Sequence, residues 1–180
     1  DRAVEKTRAI IEEKSPGLEN KDEVAKAVGV GAVVFDTLSS ARIKDIVFSF
    51  DRVLNFDGET GPYAQYTHAR CMSLLRRAAP GWEAAAPDFS ALGNAEAFAV
   101  AKLLEGFPDA VRRACEKNEP YLVTRHVIEL AKAFNRFYYE HRVIDEDAAQ
   151  TAARLRLSQA VAQVLRRGLW LIGVEAPDRM

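Results

Sequence analysis

The sequence predicts an all-α protein, a helical bundle preceded by a short helical linking segment with at most one short strand. Three observations predict it. Apolar residues recur at three- and four-residue spacing along most of the 180 residues. Proline and glycine gather at a few junctions, chiefly Ser15-Pro16-Gly17, Phe56 to Gly61 and Ala79-Pro80-Gly81. Only Ile46 to Phe50 alternates as an extended strand would.

The first helix runs to about Lys14, with Ala3, Val4, Thr7, Ile10 and Ile11 on one face, and stops at Ser15-Pro16-Gly17. Asn20 is placed to cap a second helix from about Lys21 to Ser40. Gly29 and Gly31 lie in its apolar middle, where small residues let another element approach. A short helical turn is expected at Asp51 to Asn55. Phe56 to Gly61 reads as a turn in which Gly61 takes a positive φ. Pro62 suits the first turn of the third helix, which ends near Ala78. Residues 79–93 form a loop with two prolines. Helical segments are then expected at about 94–104, 108–117, 120–141 and 146–172, with Gly173 as the final cap. The expected division is residues 1–60 as the linking segment and 61–180 as the bundle.

Hydrophobic residues make up 48% of the chain, enough for a sizeable core, and the formal net charge of -1 does not mark a polyanion-binding protein. Any basic surface must be local. Cys71 and Cys115 are read as reduced packing residues of a cytoplasmic protein. No apolar run is long enough to span a membrane, and the N-terminus lacks a signal-peptide layout. The chain starts inside a helical pattern without an initiator methionine, so a longer parent is expected. No phosphate loop, metal-ligand spacing or nucleophile motif is present. Asp57 and Glu59 read as surface acids of the turn.

On the third helix, Ala64, His68, Cys71, Leu75 and Ala78 form a small apolar face. Tyr63, Tyr66, Arg70, Ser73 and Arg77 fall opposite. Phenol rings offer platforms for unstacked bases, and guanidinium forks bind phosphate. That chemistry suits single-stranded RNA loops; packing against a neighbouring helix is the other reading of the same face. Near residue 140, Phe134 and Phe137 read as core, Tyr138 as its edge and Tyr139 as outward, with Arg142 one turn beyond Tyr138. Trp170, Leu171 and Ile172 imply a buried helix end. Met180 ends either a frayed tail or a docked one with a soft apolar side chain.

"FDGETGPYAQYTHAR", "FNRFYYEHRV" and "RLSQAVAQVLRRGLWLIGVEAPDRM", in that order, resemble the arginyl-tRNA synthetases, a class I aminoacyl-tRNA synthetase family. The likeness extends over essentially the whole chain. It implies that residues 1–60 link a catalytic domain to a helical anticodon-binding domain from residue 61 on. It implies a mobile loop at Asp57, Gly58, Glu59, Thr60, Gly61 and Pro62. It carries tRNA contacts onto Tyr66, Arg70, Tyr63, Tyr138 and Met180; Arg77 and Arg142 rest on helix geometry alone. The implied partners are the tRNA for arginine and the catalytic domain of the same chain, with neither DNA nor membrane. The catalytic signatures of the class are absent here. ATP and magnesium therefore belong to the parent's catalytic domain, no cofactor is expected on these residues, and these residues alone are expected to charge no tRNA. The alternative is a helical protein–protein interaction domain.

Overall fold

The computed structural model describes all residues, 1–180. Seven helices follow one another: α1 (Arg2–Lys14), α2 (Lys21–Leu38), α3 (Phe50–Val53), α4 (Gly61–Arg77), α5 (Ala95–Lys117), α6 (Tyr121–Glu140) and α7 (Ala148–Leu171). Two short 3-10 turns, Trp82–Ala84 and Phe89–Leu92, occupy the loop between α4 and α5. No sheet forms. Residues 46–49 have no strand partner; Arg52 instead donates to the Val47 carbonyl at 2.7 Å and forks onto Asp36.

The core lies where α4, α6 and α7 meet and α5 closes against them. Cys71, Leu130, Phe134, Phe137, Leu155, Leu165 and Leu169 are buried there. Burial of such side chains is worth about 1.5–3 kcal/mol each and drives the helices together. Cys71 is a packing residue as expected, and burial pushes its thiol far above the usual range. Cys115 is not: it is exposed on α5.

A smaller cluster, Ile11, Val24, Ala25 and Val28, joins α1 to α2. Gly29 makes that approach possible, since a Cβ there would lie 2.8 Å from the Val4 Cα. Gly31 serves α2 against α4 in the same way, since a Cβ there would lie 2.9 Å from the Gln65 amide nitrogen.

Several local expectations change. The segments 94–104 and 108–117 are one helix, with Pro108 inside it. Proline removes one helical bond, but the apolar stripe of α5 holds both halves against α6. His126 Nε2 also donates to the Leu103 carbonyl at 2.8 Å, in the turn before the proline. Asn20 stands before α2 without a capping bond, whereas Thr60, Asn94 and Asp147 do cap their helices. Positive φ belongs to Gly58, not Gly61. Gly61 is required by proximity instead: a Cβ there would come within 2.9 Å of the Phe35 Cβ.

The end of α7 is also less buried than expected, with Trp170 64% and Leu171 42% exposed. Gly173 takes φ 75° and reverses the chain. Its N–H bonds the Trp170 carbonyl at 3.0 Å, and the Val174 N–H bonds the Leu169 carbonyl at 2.9 Å, a Schellman closure. Ile172 and Val174 are turned inward by that reversal, and Trp170 stays outside under Arg167.

Candidate nucleic-acid interface

The Schellman reversal sends residues 174–180 back across α4. Gln65 donates to the Glu175 carbonyl at 2.7 Å, His68 Nδ1 to the Pro177 carbonyl at 3.1 Å, and Arg76 to the Asp178 carbonyl at 3.0 Å. Backbone carbonyls thus bind a strip of polar side chains on α4, and the tail is docked. Met180 comes to rest against the cluster shared by α1 and α2.

This docking builds an open cleft of about 740 Å³. Its floor is α4, its walls are the α1–α2 connection, Tyr138 of α6 and the tail. Arg70, Arg76, Arg77 and Arg179 line it together with Tyr66, Tyr138 and Met180, and no acidic residue does. The two acids of the docked tail, Glu175 and Asp178, both lie outside it, and Asp178 is paired with Arg166. A protein of net charge -1 therefore presents one wholly cationic concavity.

Within the cleft, the Arg70 guanidinium lies over two rings, 5.0 Å from the Tyr66 centroid and 4.9 Å from that of Tyr138. Both tyrosines remain accessible, at 41% and 36%. Arg70 is half-buried and also donates to Asn135 on α6. A planar cation between two aromatic faces holds them apart and in place. A smaller adjoining cavity of about 390 Å³ is shared by Tyr66, Arg70 and Met180 with Phe56 and Asp57 of the 56–61 turn.

Of the residues singled out in the sequence, Tyr66, Arg70, Arg77, Tyr138 and Met180 meet in this cleft. Tyr63 does not. It leans on the main core, half-buried, in the first turn of α4. Arg142 does not either: its side chain is exposed beyond the end of α6, and its carbonyl accepts from Arg154 at 2.9 Å. Arg76 and Arg179 were not anticipated. Arg76 adjoins Arg77, but only the docked tail makes both of them cleft residues.

Of the segment before α4, Phe56 and Asp57 reach only the cavity adjoining the cleft, and the expected loop is shorter than 57–62 because Gly61 and Pro62 are buried in the first turn of α4. Thr60 caps α4 through the Tyr63 N–H at 3.2 Å, and its hydroxyl donates back to the Asn55 carbonyl. Glu59 is paired with Lys132 of α6, whose hydrogen bond and charge hold that carboxyl below its usual range. Both partners are well exposed, so the tether is weak.

A family model described as the DALR anticodon binding domain matches residues 64–180. The chain belongs to that family. The chain is also similar, over its whole length, to part of the arginine–tRNA ligases. The enzyme of Halothermothrix orenii is 48% identical over 180 residues, covering 100% of this chain and 32% of that protein. That of Clostridium perfringens is 51% identical over 179 residues, covering 99% and 32%. Among solved structures, Thermus thermophilus arginyl-tRNA synthetase superposes with a TM-score of 0.92 at 35% identity, over 99% of this chain and 31% of that one. The Plasmodium falciparum enzyme shares the fold, with a TM-score of 0.88 at 20% identity over 99% and 32%. The chain thus spans about a third of the length of the relatives it matches. No helix of the chain is long and apolar enough to cross a membrane.

Proposed function

We propose that this chain binds the anticodon loop of an arginine tRNA, as the recognition module of a longer enzyme that joins arginine to that tRNA with ATP. The acid-free cleft, with accessible tyrosines fixed by an arginine between them, is the observation that carries the reading. Tyr66 and Tyr138 stack on bases turned out of the loop, each contact being worth about 1–3 kcal/mol. Arg77, Arg76 and Arg179 engage phosphate oxygens as bidentate forks. Arg70 keeps unused N–H groups on the cleft side of its stack, and Met180 adds a polarisable apolar contact.

Residues 57–60 move as RNA enters, since the bond that ties Glu59 to α6 is a weak exposed ion pair. Residues 1–60 link this domain to the catalytic domain of the same chain. Ile43 and Val47, 94% and 83% exposed, are the apolar surface they offer to it. The catalytic domain supplies the ATP and magnesium chemistry in the cytoplasm. Binding at the anticodon aligns the distant acceptor end with that active site, so recognition is converted into specificity by positioning.

The test is titration of the chain with an anticodon stem-loop of an arginine tRNA and with one from an unrelated tRNA, each at low and at physiological salt. Preferential binding of the arginine stem-loop, weakening steeply with salt through counterion release, is expected. Equal, salt-insensitive binding would remove the proposal.

A further inference from the structure

The Tyr66–Arg70–Tyr138 stack does not hold itself together. Asn135 lies half-buried on α6 between the fully buried Phe134 and Phe137. Asparagine is a poor choice in a helix, where it competes with the backbone for hydrogen bonds. Here its amide is used at both ends. Its Oδ1 accepts from Arg70 Nη1, and its Nδ2 donates to Thr67 Oγ1 at 2.9 Å. The Thr67 hydroxyl in turn donates to the Tyr63 carbonyl at 2.9 Å.

A polar chain therefore runs from the α4 backbone through Thr67 and Asn135 to the guanidinium that separates the two rings. Arg70 has several rotatable bonds, and cation–π attraction alone fixes neither its height nor its rotation between the rings. A hydrogen bond from one end of the fork to a fixed acceptor does both. Because both amide atoms are engaged, Asn135 is held in one orientation. Neither Asn135 nor Thr67 lines the cleft, so neither meets RNA directly.

We infer that Asn135 is a positioning residue for RNA binding, acting through Arg70 to hold the Tyr66 and Tyr138 rings at stacking distance. This deepens the anticodon-loop reading and rests on it.

The test combines a double-mutant cycle with a measurement that needs no RNA. Asn135→Ala, Arg70→Ala, their double variant and Thr67→Val are titrated with an arginine-tRNA anticodon stem-loop. Arg70 side-chain signals are followed by ¹H–¹⁵N NMR in the free protein. Asn135→Ala is expected to weaken binding about tenfold, and the double variant to bind no worse than Arg70→Ala. Thr67→Val, which keeps the bulk, is expected to show a smaller loss. Without RNA, the protected Arg70 N–H signals of the wild type should average in Asn135→Ala. Fully additive losses, or an unchanged Arg70 spectrum in Asn135→Ala, would overturn the inference. Wild-type binding by Arg70→Ala would overturn it too, whereas failure of the wild type to prefer the arginine stem-loop would instead overturn the RNA reading beneath it, whatever the spectrum shows.

Discussion

Arg70 on α4 stands over the ring of Tyr138 on α6, its guanidinium carbon 4.9 Å from the ring centroid. The same group covers Tyr66 at 5.0 Å on its own helix. Two helices that share a core below thus share a cation–aromatic stack above. Core packing of α4 on α6 therefore sets the spacing of the stacking platforms.

Charge alone does not reproduce this arrangement. Lysine at position 70 keeps the positive charge but loses the planar fork that faces both rings while bonding Asn135. Arg70→Lys is expected to weaken stem-loop binding by about tenfold. The slope of log affinity against log salt should stay within experimental error of the wild type.

Arg77 is a different case. It is exposed on the last turn of α4, lines the cleft and has no protein ion-pair partner. Arg77→Ala should weaken binding of all stem-loops alike and lower the salt slope by about one. Equilibrium titrations over a salt series measure both.

The docked tail gives the fold a pH dependence. His68 is fully buried, donates from Nδ1 to the Pro177 carbonyl, and turns an unpartnered Nε2 toward Asp178 at 4.0 Å, with Arg166 and Arg76 nearby. Burial, followed by the arginines, outweighs the Pro177 bond and Asp178, and holds its pKa below the ordinary 6.5. The unfolded chain therefore takes up this proton at higher pH than the folded one. The contribution is complete above 6.5 and is lost as pH falls through 6.5 toward the depressed folded value. The slope is at most about 1.4 kcal/mol per pH unit. Glu12, Glu59 and Glu96 are also held below their usual values; what they contribute is complete above 4.5 and is lost only as pH falls below it, outside this window. Thermal unfolding between about pH 7.5 and 5.5 should show a falling Tm, and His68→Asn should flatten it.

Gly168 fixes how closely α7 approaches α6. A Cβ at this position would sit 2.5 Å from Cγ2 of the fully buried Val127. Alanine improves helix propensity by about 1 kcal/mol, but overpacking here costs about 1–3 kcal/mol. A net loss of up to about 2 kcal/mol is expected, read as a lower midpoint in denaturant. Gly17→Ala has open space around it and should leave the midpoint unchanged.

The helices and the outward face of α4 were legible in the sequence because each depends on local periodicity. Tyr66, Arg70 and Arg77 follow from spacing alone. Tyr63 shares the angular position of Arg70 but lies two turns before it, in the first turn of α4, where its ring leans on the core. Pro108 misled for the opposite reason. A local breaker was overridden by a long apolar stripe and by the His126 bond to Leu103. Arg76 and Arg179 were illegible as site residues because their placement depends on carbonyls of residues 175–178 meeting α4 side chains far away in sequence. The exposure of Trp170 follows from the same reversal at Gly173, whose φ shows the turn but not which flanking side chains it buries.

The most direct measurement is the affinity of the Tyr66→Ala/Tyr138→Ala double variant for an arginine-tRNA anticodon stem-loop at physiological salt, with its Tm recorded alongside. Both rings are accessible, so folding should be little affected, while loss of two stacking contacts should weaken binding by about a hundredfold or more. Wild-type affinity in a correctly folded double variant would contradict the account.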